Sequence, residues 1–94
     1  MIKHVVCFKL LNAEDKEETK KVLLSMDGKV PMLKGIEVGT DFLGSPRSFD
    51  VYLSVVLEDK AALEAYQKDA YHCGVVKTYM HARTEKSVTV DFEL

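Results

Sequence analysis

The chain has 94 residues, of which 47% are hydrophobic and 30% charged, a balance typical of one folded globular domain rather than a disordered segment. Its 13 Lys and Arg against 15 Asp and Glu give a net charge of −2, which argues against a protein that binds nucleic acid or anionic lipid through a general positive charge. No apolar run approaches the roughly 18 residues that cross a bilayer, and Lys3, His4 and Lys9 interrupt the first apolar residues in a way that signal peptides do not. We therefore expect a single cytoplasmic domain over residues 1–94, with neither nucleic acid nor membrane as a partner.

The first third of the chain predicts a strand followed by a helix. Residues 2–11 form a β-branched and aromatic run of strand length, and both of its faces are largely apolar. Asn12 is a natural N-cap for the following helix, which Gly28 weakens and Pro31 ends. The apolar residues of this helix recur at helical spacing and are Val22, Leu23, Met26 and Val30.

Two strands separated by a turn are predicted next. Residues 33–42 alternate between apolar and polar side chains, as expected of an edge or half-covered strand, and residues 44–48 (GSPRS) form the turn. Residues 49–58 (FDVYLSVVLE) are the strongest strand, because every odd-numbered position from Phe49 to Leu57 is apolar.

The last third predicts a helix, a break, a short helix and a final strand. Asp59 caps the helix, residues 71–74 break it, and residues 75–80 suggest the short helix. The apolar stripe of the longer helix comprises Ala62, Leu63, Tyr66 and Ala70. Residues 84–93 alternate cleanly. On this strand we expect the apolar set to face inward and the polar set outward, the two sets being Val88, Val90 and Phe92, and Thr89, Asp91 and Glu93.

This order of elements, β-α-β-β-α-β, indicates an α+β domain with the ferredoxin-like plan, in which four strands form one antiparallel sheet. The first and third strands are central in that plan, and they are the two whose opposite faces are both substantially apolar. Two helices cover only one face of such a sheet. Because soluble monomers avoid a large exposed apolar patch, we expect a homodimer in which the sheets of two copies stack face to face. The apolar residues expected on this second face are Val5, Cys7, Leu11, Tyr52 and Val56.

Five segments of the chain together resemble the stress-responsive dimeric α/β-barrel (Dabb) family. They are IKHVVCFKL at residues 2–10, PMLKGIEVGTD at 31–41, FDVYLSVVLED at 49–59, LEAYQKDAYH at 63–72 and VTVDFE at 88–93. No single segment is diagnostic, whereas their order and spacing together are fairly specific. The resemblance implies a homodimer whose paired sheets close into an α/β barrel.

The resemblance also implies a catalytic site. Olivetolic acid cyclases, a class of plant polyketide cyclase in this family, close a ring by aldol-type chemistry with no metal or organic cofactor. The Tyr and His that work near the end of their second helix correspond to Tyr66 and His72, and the His on their first strand corresponds to His4. Two further polar pocket residues, a His and a Tyr, are replaced by Val51 and Leu23, which departs from the cyclase pattern.

The chemistry of His4, Tyr66 and His72 fits such a role. A His titrates near neutrality and can act as a general base, and a Tyr hydroxyl can donate a hydrogen bond to a carbonyl oxygen that gathers negative charge. His4 shares the face of its strand with Val6 and Phe8, the face that the resemblance places under the helices. The structural alternative is a buried polar cluster that fixes the end of the helix against the sheet.

We expect no metal and no cofactor. His4 and Cys7 lie three positions apart on a strand and so face opposite sides, and the chain has no CxxC or HxxxH pair. In the absence of a secretory signal, Cys7 and Cys73 are predicted to be free thiols. His81, near the end of the last helix, is interpreted as a solvated cation that the helix dipole favours.

Two functions from different classes follow. The first is a cofactor-independent enzyme of aldol, cyclase or isomerase type, or a binder of a small ligand, with His72, Tyr66 and His4 in a pocket between helices and sheet. The second is a stress-response structural or binding protein with no catalytic activity. A cofactor-free monooxygenase is a third possibility that rests on related barrel architecture alone.

Overall fold

In the computed structural model, which describes residues 1–94, four strands form one antiparallel sheet. The strands are β1 (Ile2–Leu10), β2 (Gly35–Thr40), β3 (Val51–Leu57) and β4 (Thr84–Glu93). Their order across the sheet is β2-β3-β1-β4, so the first and third strands are central and the second and fourth lie at the edges. The α+β architecture with the ferredoxin-like plan is therefore confirmed.

Helical segments cover one face of this sheet. They are α1 (Lys16–Leu24), α2 (Lys60–Lys68), a π-helical segment (His72–Lys77) and α3 (Thr78–Arg83). Asp59 caps α2 as predicted, accepting a hydrogen bond from the backbone N–H of Ala62 at 2.8 Å. Asn12 accepts one from the backbone N–H of Glu14 at 3.0 Å, but it thereby caps a short 3₁₀ helix (Ala13–Asp15) that precedes α1, whose own N-cap, Asp15, makes no side-chain capping hydrogen bond. No helix is both long and apolar enough to cross a membrane.

The first helix is shorter than predicted. It ends at Leu24, and the chain continues through hydrogen-bonded turns in which Met26 and Asp27 donate to carbonyls three residues earlier. Gly28 has a φ of +82°, a conformation that side chains with a Cβ rarely adopt. Met26 and Val30 are nevertheless buried, so their helical spacing reflected burial of these turns rather than a continuous helix.

The predicted break at residues 71–74 lies elsewhere. Asp69, with a ψ of 135°, ends α2, and its carboxylate accepts a hydrogen bond from the backbone N–H of His72 at 2.9 Å. Asp69 thereby caps the start of a second helical segment, which contains residues 71–74. Ala70 is exposed rather than part of the apolar stripe, because the interruption at Asp69 precedes it.

The two faces of the sheet differ in what covers them. Helical segments and sheet enclose a core that includes Leu23, Met26, Val55 and Leu57. On the opposite face, which we call the open face, the register places Val5 beside Val90, and Cys7 beside Tyr52 on one strand and Val88 on the other. The open face consists of Val5, Cys7, Tyr52, Val56, Val88, Val90 and Phe92 together with shorter and charged residues.

The prediction of which β4 side chains face the helices is wrong. The register pairs His4 with Asp91, which puts Asp91 on the helix-covered side and leaves Val88, Val90 and Phe92 on the open face, 53%, 60% and 44% exposed. The helices make few contacts with this edge strand, so its helix-covered side has no packed core in which apolar side chains could be buried, and the polar set lies there. Leu11, expected on the open face, lies beyond the end of β1 and is 67% exposed.

Candidate functional site

A cavity of about 350 Å³ lies between the helical segments and the sheet. Ligand sites are commonly of this size and lie between such layers. Every strand except β2 contributes to its walls. Its lining residues include His4, Val6, Phe8, Leu23, Leu53, Tyr66, Gln67, His72, Val76, Lys77, Met80, His81, Thr84, Ser87 and Thr89.

His72 is held with one ring nitrogen fixed and the other toward the cavity. Its Nδ1 lies 2.9 Å from the backbone carbonyl oxygen of Tyr66, and because a carbonyl oxygen only accepts, Nδ1 carries the proton. Its Nε2 makes no hydrogen bond within the chain and is accessible from the cavity that His72 lines. In the neutral imidazole this Nε2 holds the lone pair, which is the arrangement that a general base needs.

Burial lowers the pKa of His72 below its ordinary value of 6.5, because the charged imidazolium loses hydration. The positive charge of Lys77 lowers this pKa further, whereas the hydrogen bond to Tyr66 and the charge of Asp69 oppose the shift. His72 is therefore neutral at neutral pH, and its Nε2 is free to accept a proton.

The ring of Tyr66 packs against the ring of His72. The two rings stack with centroids 4.1 Å apart and planes within 16° of parallel, and the ring of His4 meets Tyr66 edge-on at 5.8 Å. The Tyr66 hydroxyl points into the core, where it lies 3.8 Å from the sulfur of Met26, a weak acceptor. Burial, with a smaller effect of Asp69, raises the pKa of Tyr66, so its hydroxyl stays protonated at neutral pH and can donate a hydrogen bond.

His4 forms a hydrogen-bonded pair with Asp91. The pair joins His4 Nδ1 to Asp91 Oδ1, and the side chain of His4 is only 9% exposed while that of Asp91 is 45% exposed. Because Nδ1 is occupied by the carboxylate, the unpartnered Nε2 of His4 is the nitrogen available on the cavity side.

The structure thus brings together all three residues suggested by the sequence and adds others. Asp91 was expected to face outward, and only the β1–β4 register reveals that it lies opposite His4. His81, interpreted as a solvated cation, lines the same cavity, as does Lys77. Of the two positions that depart from the cyclase pattern, Leu23 lines the cavity and Val51 lies outside it.

Other polar and ligand-type side chains form no second site. Asp50 is buried and accepts a hydrogen bond from the backbone N–H of Leu10 at 2.8 Å, which makes it part of the contact between β1 and the start of β3. Cys7 and Cys73 are free thiols. No three His, Cys, Asp or Glu side chains converge in a way that could hold a metal ion.

The lowered pKa of His72 predicts a pH dependence of stability. The unfolded chain takes up a proton on this residue near pH 6.5, whereas the native chain resists doing so until a lower pH. The free energy of unfolding should therefore fall as the pH drops from above 6.5 through the lowered native pKa. Urea unfolding measured across this pH range should show the loss, and His72→Gln should remove that part of it. An unchanged pH profile in the variant would contradict the burial of this imidazole.

Comparison of the sequence with models of known protein families gives a match. The sequence model of the family described as "Stress Responsive A/B Barrel Domain" matches residues 2–94 of the chain. No curated protein sequence matches it significantly.

Three solved structures illustrate the similarity of fold. A dimeric ferredoxin-like protein of unknown function from Thermobifida fusca shares 21% identity, with a TM-score of 0.83 over 99% of this chain and 90% of that one. A Dabb family protein from Mesorhizobium loti shares 23%, with a TM-score of 0.76 over 99% and 95% of the two chains. A hydroxynitrile lyase from Passiflora edulis shares 15%, with a TM-score of 0.79 over 99% and 92%.

Proposed function

Because this chain belongs to the stress responsive A/B barrel domain family, we propose that its cavity is the active site of a cofactor-independent enzyme that acts on a small carbonyl compound. The observation that carries the proposal is the fixed imidazole of His72. Its Nδ1–H is bound to the Tyr66 carbonyl, its Nε2 lies toward a cavity of ligand size, and burial keeps it neutral.

The proposed first step is removal of a proton from the carbon next to the carbonyl group. His72 Nε2 takes the proton, the electrons of the C–H bond move into the carbonyl, and an enolate forms. Return of the proton at another position would complete an isomerisation, and attack of the enolate carbon on a second carbonyl would complete an aldol reaction or a ring closure. Neither route needs an oxidant or a reductant.

Two further groups have proposed roles in this step. The Tyr66 hydroxyl is neutral and can donate to the carbonyl oxygen as it gains negative charge, provided that it leaves its weak contact with Met26. His4, oriented by Asp91, presents Nε2 to the same cavity and can hold or return the proton. One protein of this fold is a hydroxynitrile lyase, which supports enzyme chemistry on this scaffold.

We propose that the working unit is a homodimer joined through the open face. The exposed apolar side chains of Val88, Val90 and Phe92 continue the apolar surface of β1 and β3, and soluble monomers rarely leave a patch of this kind uncovered. Similar structures from Thermobifida fusca and Bacteroides fragilis are described as dimeric, which supports the same arrangement here.

A second candidate function is a stress-response binding or structural protein without catalysis. The observation that favours it is the direction of the Tyr66 hydroxyl, which lies in the core against Met26, while its ring packs between the two imidazoles. In that case, the three aromatic side chains stabilise the contact between α2 and the sheet and perform no chemistry.

Exchange of carbon-bound hydrogen in deuterated buffer separates the two functions. The protein is incubated with a panel of small aryl and alkyl ketones, and NMR follows the loss of the proton signal next to the carbonyl. We expect at least one compound to exchange faster than in buffer alone, because abstraction by His72 precedes any later step. If no compound exchanges faster while some bind in the cavity, the protein is a binder and the enzymatic proposal is wrong.

A further inference from the structure

The cavity carries positive charge in a chain whose net charge is negative. The chain has two more acidic than basic residues, yet none of the residues lining the cavity is Asp or Glu. Lys77 and His81 lie on one wall, with the buried His4 and His72 deeper in. Of the nearby carboxylates, Asp91 is bound to His4, and Asp69 is bound to the backbone N–H of His72.

The π-helical segment is what brings Lys77 to this wall. The hydrogen bonds of a π-helix span five residues, so this segment has a wider turn than an α-helix, and Lys77 lies just over one turn beyond His72. In the α-helix that follows, neighbours are four positions apart, and His81 stands one turn beyond Lys77. Lys77 and His81 therefore follow His72 along the same wall of the cavity, beside the buried Val76 and Met80.

Lys77 has no acidic partner. No carboxylate oxygen lies within 4.0 Å of its Nζ, whose one contact is the backbone carbonyl oxygen of Gln67 at 3.4 Å. One of its three protons can serve this carbonyl while the others remain available.

We propose that the compound bound in this cavity carries a carboxylate in addition to its carbonyl group, and that Lys77 and His81 bind this carboxylate. The inference rests on the proposed function for the carbonyl group but concerns a separate part of the cavity. An ammonium and an imidazole N–H both donate to carboxylate oxygens, and the apolar walls formed by Val6, Phe8 and Leu53 fit the uncharged remainder of the compound. The substrate class is that of oxo acids.

A matched pair of probes tests this assignment. The probes are 4-oxo-4-phenylbutanoate and its amide, which have the same skeleton and differ in charge. Binding is followed by NMR shifts of the imidazole signals, with melting temperatures as a check on folding. We expect the carboxylate to bind at least about tenfold more tightly than the amide, since charge-assisted hydrogen bonds are roughly twice as strong as neutral ones.

Three variants make the test specific to Lys77. Lys77→Gln should bring the ratio of the two affinities close to one, and Lys77→Arg should retain most of it because the charge is kept. Lys68→Gln, an exposed lysine outside the cavity, should leave the ratio unchanged. Equal binding of the two probes, binding of neither, or equal losses in Lys77→Gln and Lys68→Gln would overturn the proposal. So would a lower melting temperature of Lys77→Gln with an unchanged ratio, which would make Lys77 a cap for the end of α2.

Failure of the proposed function gives a different result. If the carboxylate probe binds preferentially but its protons next to the carbonyl do not exchange, the carboxylate site stands and the enzymatic proposal falls. If both probes exchange at equal rates and Lys77→Gln has no effect on exchange or binding, the enzymatic proposal stands and the carboxylate site falls.

Discussion

Replacing Val90 by Arg is expected to convert the proposed dimer to monomer. Val90 is 60% exposed in the single chain and lies on the open face beside Val5, so an Arg there can extend into solvent without disturbing the fold of the monomer. In a face-to-face dimer the same guanidinium would be enclosed between two sheets without a partner. Such a charge costs about 3 kcal/mol or more, which weakens association at least about 100-fold.

Light scattering or sedimentation of the wild type and the variant measures this effect. Val75→Arg is the matched control, because Val75 is 46% exposed on the π-helical segment, away from the open face, and its substitution should leave the dimer intact. A dimeric Val90→Arg protein with wild-type stability would place the interface elsewhere. A wild type that is monomeric throughout would refute the dimer itself.

The second large effect is expected at His72. Under the proposed function, His72→Gln removes the group that takes the proton, so hydrogen exchange of a responsive ketone should slow by about 10²- to 10⁴-fold. The dimer should remain folded, because Gln is also polar and can donate to the Tyr66 carbonyl. The exchange assay and thermal melting of the same samples measure the two outcomes together.

Tyr66→Phe tests the role of the hydroxyl. It removes one oxygen whose present contact is the Met26 sulfur at 3.8 Å, so stability should change little, while loss of a donor to the developing enolate should slow exchange by about 100-fold. Tyr79→Phe is the control, since that hydroxyl contacts Thr19 at 3.3 Å and does not line the cavity. The structural alternative predicts the opposite pattern for His72 and Tyr66, with stability losses on the order of 1–3 kcal/mol and unchanged ligand response.

Local sequence patterns were sufficient for the elements and their order. The alternation of residues 84–93 predicts a strand whose bounds agree with β4, and Asp59 caps α2 as expected, whereas Asn12 caps the short 3₁₀ helix ahead of α1. The apolar character of both faces of β1 and β3 predicts that these two strands are central. Each of these features depends on neighbouring residues or on the period of the chain itself, and both are visible in one dimension.

Tertiary structure decided which face of an element meets which partner. Alternation in β4 separates Val90 from Asp91 but does not say which of them turns toward the helices, because that depends on pairing with β1, more than eighty residues away in the chain. The partnership of His4 with Asp91 follows from the same pairing. The position of Lys77 at the cavity likewise depends on the interruption at Asp69 and on the π-helical segment. The spacing of apolar residues in the sequence indicates neither of these two features. The sequence by itself therefore determined the strand order of the sheet and the apolar residues that β1 and β3 contribute to its open face, whereas the facing of β4 and the charge and donors of the cavity were set by long-range register and by one widened helical turn.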